Sequence, residues 1–130
     1  MLTDTRRKDA MWVRTEMKIG PKGKSYEARS FVREGGEVSV LAYEMMRRAE
    51  CMSGHECLEE DGLYLLDNQQ DIPHELRSYC LVIQDWRNIR REVAYLQWNG
   101  FYRCWQKIWR IVDNSVGRWD GSFLVIRRID

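Results

Sequence analysis

Residues 11 to 19 read Met-Trp-Val-Arg-Thr-Glu-Met-Lys-Ile, and their alternation constrains the fold more than any other stretch of the chain. It places Met11, Val13, Thr15, Met17 and Ile19 on one side and Trp12, Arg14, Glu16 and Lys18 on the other. Successive side chains of an extended backbone point in opposite directions, so a period of two means a strand with one buried face. Gly20-Pro21-Lys22-Gly23-Lys24-Ser25 then supplies turn residues, and Tyr26 to Arg33 alternates again with Glu27, Arg29 and Arg33 turned outward. A β-hairpin is expected.

Gly35-Gly36 closes that unit. Val38, Leu41, Ala42, Met45, Ala49 and Met52 follow at steps of three and four, which predicts an amphipathic helix of about 15 residues ended by Ser53-Gly54. Leu63 to Leu66 reads as a short strand in a loop-rich acidic middle. Asp71 standing two residues ahead of Pro73 reads as the start of another helix.

The tryptophan-rich stretch from Leu76 to Val112 fits two templates. Wound at roughly 100° per residue, Phe101, Cys104, Trp105, Ile108, Ile111 and Val112 share one side, and Arg103, Gln106, Lys107, Arg110 and Asp113 the other. Asn99-Gly100 instead suits a two-residue turn, with Ala94, Leu96 and Trp98 opposite Trp105, Arg103 and Phe101. The helical face is the cleaner pattern, so a helix over 101–113 is the expectation. Ser122 to Ile126, behind an Asp120-Gly121 turn, is apolar on both faces and fits a central strand covered from both sides. Together these elements give an α+β fold, with a small antiparallel sheet (the N-terminal hairpin plus the C-terminal strand) and two to three helices packed on one face. At 130 residues the chain fits one domain, 1–130.

The charges are sorted along the chain. Residues 1–36 hold nine Lys/Arg against five Asp/Glu, residues 37–75 two against ten, and residues 76–130 ten against five, all concealed in a net charge of +1. Segregated charge makes local fields that select partners. In the acidic block Glu56, Glu59, Glu60 and Asp61, with Asp67 and Asp71, form a negative patch suited to a basic protein surface or to imitating a phosphate backbone. In the last block Arg87, Arg90, Arg91, Arg103, Lys107 and Arg110 interleave with aromatics, and as helical rows they would neutralise phosphates while nearby rings stack on bases. Solvated faces are the plainer account of both groups.

Motifs for chemistry fall short. Gly23-Lys24-Ser25 resembles the end of a phosphate-binding loop, but Lys18 stands where its first glycine belongs and strands flank it on both sides. Cys51, His55 and Cys57 lie within seven residues and could converge on zinc with His74, Cys80 or Cys104, yet the paired C-x2-C knuckle is missing. His55-Glu56 and His74-Glu75 each offer half of an acid/base pair, and the H-E-x-x-H pattern fails at Leu58. No G-x-S-x-G elbow or dinucleotide fingerprint occurs. Catalytic residues, metal ligands and cofactors are therefore not assigned, and the chain is not expected to be an enzyme.

The first residues, Met1 to Lys8, are polar and no 18-residue apolar stretch exists, so a cytoplasmic protein with reduced thiols and no membrane partner is expected. The leading reading is a non-enzymatic interaction module, a modulator or inhibitor that docks on a nucleic-acid-handling protein complex through its charged patches and exposed aromatics. Direct nucleic-acid binding by the C-terminal cations is the second reading. A zinc-binding protein or enzyme built on Cys51, His55 and Cys57 is the third.

Overall fold

The computed structural model describes residues 14–32, 37–51, 54–87, 92–111 and 118–129. Strand β1 (Arg14–Ile19) and strand β2 (Lys24–Arg29) form the expected hairpin, in register from Arg14 opposite Arg29 to Ile19 opposite Lys24. Residues 11–13, expected to extend β1, lie outside the described residues. Strand β3 (Ser39–Leu41) leads directly into helix α1 (Ala42–Glu50), and strand β4 (His55–Glu56) precedes helix α2 (Glu59–Asp67). Two short 3-10 turns, Gln69–Asp71 and His74–Ser78, connect to strands β5 (Cys80–Arg87), β6 (Glu92–Asn99) and β7 (Cys104–Ile111), and the chain ends with β8 (Arg118–Asp120) and β9 (Phe123–Arg128).

The main sheet runs β1-β2-β9-β5-β6-β7, with β4 also paired to β9, and β3 pairs separately with β8. The C-terminal strand joins the N-terminal hairpin as expected, antiparallel to β2. The sheet is nevertheless larger than the sequence suggested and is mixed, because β5 lies parallel to β9, from Cys80 beside Phe123 to Val82 beside Val125.

The expected helix over 101–113 is a strand. β6 and β7 pair antiparallel from Glu92 opposite Ile111 to Asn99 opposite Cys104. The pleat sends Trp105 and Trp109 into one apolar cluster and Ile108 into the other. A strand apolar on both sides scatters its hydrophobics at mixed spacings, and these also satisfied the helical template. The turn holds four residues, Gly100 to Arg103, and sets Trp98 opposite Trp105, so the two-residue pairing of Trp98 with Phe101 is also corrected.

Other boundaries move for identifiable reasons. Val38 is exposed and Val40 pairs opposite Trp119, so the apolar positions ahead of Ala42 serve a ladder, and the helix is shorter than expected. Leu63 to Leu66 belongs to α2. Pro73 lacks an amide hydrogen and biases Ile72 to extended backbone, ψ 125, which separates the 3-10 turns where a single helix was expected.

The helices cover opposite faces, not one. Leu65 of α2 joins Met17, Ile19, Tyr26, Ala28, Leu81, Ile83, Ala94, Leu96, Leu124 and Ile126 on one side of the sheet. Met45, Met46 and Ala49 of α1 join Phe31, Val82, Val93, Tyr95, Trp119, Phe123 and Val125 on the other. Because the central strands are apolar on both faces, each face needs its own cover. Trp119 is fully buried, its ring stacked on Phe123 at 5.3 Å. Glu27 points into this interior as well, where the sequence placed it outward. As β2 sits between β1 and β9, its carboxylate is enclosed and ion-paired with Arg14 and with Arg29.

Candidate interaction surfaces

The acidic block separates into three environments. Around α1, Glu37 and Glu44 are neutralised by the block's own arginines. Arg47 reaches Glu44 at 2.8 Å, Arg48 reaches Glu44 at 2.9 Å, and Arg48 also reaches Glu37 at 2.6 Å. The hydrogen bond from Arg47, with a second from Arg48, holds the Glu44 carboxyl down at about 2, and bonding to Glu37 raises the Arg48 guanidinium above its ordinary value.

The second environment is internal. Asp61 was expected on the negative patch, but it is 1% exposed. Its carboxylate accepts a hydrogen bond from the Tyr26 hydroxyl at 2.8 Å and from the Leu58 amide at 2.9 Å, and Arg128 Nε lies 4.0 Å away. At the third position of α2, that side chain caps the helix start and faces the sheet. Burying a carboxylate requires such partners, and the fold supplies them from β2 and β9. Glu56 is half-buried in β4, opposite Arg127.

The third environment is open. Glu59, Leu63 and Asp67 recur at four-residue steps along the outer face of α2, and Glu60 adjoins them. Glu59, Glu60 and Asp67 are exposed, and among the described residues none of them joins an ion pair. Leu63 sits in their midst, 48% exposed, with Leu58 partly exposed at the helix start.

The basic residues are arranged otherwise than expected. Arg90 and Arg91 lie outside the described residues, as do the side chains of Arg87 in β5 and Arg110 in β7. The proposed helical rows do not form, because the segment is extended. Lys107 is exposed on β7 with its ammonium 4.9 Å from the Trp109 ring, and Arg103 is exposed in the loop. Arg127 is interior, donating to Gln84 Oε1 at 3.0 Å and to the Gly54 carbonyl at 3.1 Å.

Sequence reasoning singled out Arg103 but missed that the tip of the β6–β7 hairpin displays a pair of rings beside it. Phe101 is 86% exposed and Tyr102 68% exposed, their rings edge-to-face at 4.9 Å. Asn99 Oδ1 accepts from the amides of Phe101 at 2.9 Å and Tyr102 at 3.0 Å, and the Arg103 amide donates to the Asn99 carbonyl at 2.7 Å. Lower on the hairpin, the Arg77 guanidinium lies 3.8 Å over Trp98, which meets Trp105 edge-on at 5.9 Å. The Trp105 amide donates to Gln69 Oε1 at 2.7 Å, so the first 3-10 turn seals the outer edge of β7 at that point. The available signal was an Asn-Gly turn followed directly by two aromatics.

The remaining motifs resolve into structure. In the loop after β1 the Gly20 amide donates to Asp71 at 2.8 Å, the Lys22 amide to the Tyr64 hydroxyl at 3.2 Å, and the Gly23 amide to the Gly20 carbonyl at 3.0 Å. Those amides are already engaged within the protein, so the loop cannot cradle a phosphate as a P-loop does. Cys57 is fully buried, and burial, with the nearby Asp61 charge, pushes its thiol well up. Cys51 and His55 are exposed. The three do not converge, and among the described residues no three metal-binding side chains cluster. All four cysteines are free thiols. Among the described residues, no helix is long and apolar enough to cross a membrane.

No family model, curated protein or solved structure matches the chain.

Proposed function

We propose that the protein is a non-enzymatic interaction module, a modulator or inhibitor that docks on a nucleic-acid-handling protein complex, with the outer face of α2 as its main contact. The observation that carries this reading is the row of Glu59, Leu63 and Asp67 with Glu60 beside it, exposed carboxylates that form no ion pair among the described residues, around an exposed leucine. A basic surface that ordinarily receives phosphates would accept such a face, drawn by long-range attraction and seated by the apolar centre. Two groups that could serve chemistry are already committed to the fold. Glu44 is held by arginines and Cys57 is buried.

Affinity capture from the native cell, with mass spectrometry of the retained proteins, tests the proposal. The wild-type chain should retain a basic, nucleic-acid-associated protein that elutes as salt rises, and a variant carrying Glu59→Lys and Glu60→Lys should lose it. Retention of the same protein by both would remove α2 as the contact.

A further inference from the structure

At the tip of the β6–β7 hairpin, residue type and backbone conformation are at odds. Arg103 sits in the left-handed region at φ +57. Glycine or asparagine occupies that region easily, and other residues are strained there. At the opposite end of the same loop, Gly100 has nothing within 4 Å of where a side chain would begin. A loop chosen for the fold alone would carry its glycine at position 103. Strain kept on a surface loop points to use of the side chain that keeps it.

The neighbouring residues share this character. Phe101 and Tyr102 are among the most exposed large side chains described, and the Asn99 carboxamide oxygen fixes the backbone that displays them. Between Val93 and Val112 the sequence holds Arg103, Lys107 and Arg110 and no acidic residue. Arg77 adds a further guanidinium from outside the hairpin, over Trp98.

We propose that this tip binds single-stranded nucleic acid, with Phe101 and Tyr102 stacking on unpaired bases and Arg103 meeting a phosphate. Every base offers a flat face, so displayed rings beside cations make a sequence-tolerant site for unpaired strands, whereas the bases of a duplex are already stacked. A protein pocket could also receive two rings. Glu92 stands at the far end of the hairpin from the tip, and from Val93 to Val112 the sequence holds cations and no carboxylate, a charge complementary to a polyanion, which favours the nucleic acid. The site uses residues separate from α2, so it stands or falls independently of docking there.

Fluorescence anisotropy with a labelled thymidine oligomer of about fifteen nucleotides, and with a duplex of the same length, tests it. The full chain should bind the single strand in preference to the duplex, more weakly as salt rises. Phe101→Ala with Tyr102→Ala should weaken binding by at least about tenfold. Arg103→Gly should leave Tm unchanged or raised while reducing the log-log salt slope by about 0.7. Glu59→Lys with Glu60→Lys should not weaken binding. Failure of the thymidine oligomer to bind at low salt would overturn the inference, as would equal affinity in the variant lacking both rings. If the oligomer does not bind but the ring variant loses a captured protein, the tip belongs to a protein contact and the inference is also overturned.

Discussion

The Tyr26 hydroxyl donates a hydrogen bond to Asp61 Oδ1 at 2.8 Å, joining the middle of β2 to the first turn of α2 inside the protein. The bond anchors the helix whose outer face carries the exposed carboxylates Glu59, Glu60 and Asp67, and it removes one carboxylate from that face. Tyr26→Phe deprives a buried acceptor of a donor and should cost about 1–2 kcal/mol in urea unfolding. Glu60→Lys, one residue from Asp61 but exposed, should stay within about 0.5 kcal/mol. Equal costs would mean that Asp61 is not enclosed.

The two glycines of the first hairpin loop should respond differently to alanine. Gly20 has φ +73, and a side chain there would collide with the Tyr64 hydroxyl, which itself donates to the Ile19 carbonyl at 2.9 Å. Gly23 has φ +61 and open space around it. Gly23→Ala should therefore cost about 1 kcal/mol from backbone strain alone. Gly20→Ala should cost at least about 2 kcal/mol, because strain, collision and a disturbed hydrogen bond combine. Thermal or chemical unfolding of both variants measures the difference.

How much was legible in the sequence follows from where each residue's environment comes from. The first hairpin could be read because β1 has one buried face and its loop carries glycine and proline. β9 could be read because four consecutive apolar residues leave few alternatives to a covered central strand. β7 could not, because its hydrophobics serve both faces and its partner strand decides its conformation. Asp61 and Glu27 looked like surface charges because their partners, Tyr26 and Arg128 for one and Arg14 for the other, are brought in by tertiary folding. The hairpin tip was missed because the exposure of Phe101 and Tyr102 depends on a four-residue turn held by Asn99.

Acid should expose the contribution of Glu44. Its carboxyl is lowered from 4.5 to about 2, so the stabilisation is complete above pH 4.5 and is lost as pH falls toward 2. With Arg47 59% exposed and Glu44 26% exposed, solvent screening limits the effect to about 0.5–1 kcal/mol. Glu44→Gln should be less stable than wild type at neutral pH, with the gap closing across that window. A constant gap would show that the ion pair does not carry the effect.

Thiol labelling at neutral pH should sort the cysteines by exposure. Cys51 is exposed and should react first, while Cys57 is buried with its thiol pushed up and should react only on unfolding. Mass spectrometry of partly labelled protein resolves the order, and early modification of Cys57 would contradict its burial.

Docking through α2 is tested most directly by the rate of association with the captured partner, measured across ionic strength for wild type and for Glu59→Lys with Glu60→Lys. The wild-type rate should fall steeply as salt rises, and the variant should be slow at low salt and nearly insensitive to it. Parallel curves of equal rate would contradict the assignment of that acidic face as the contact.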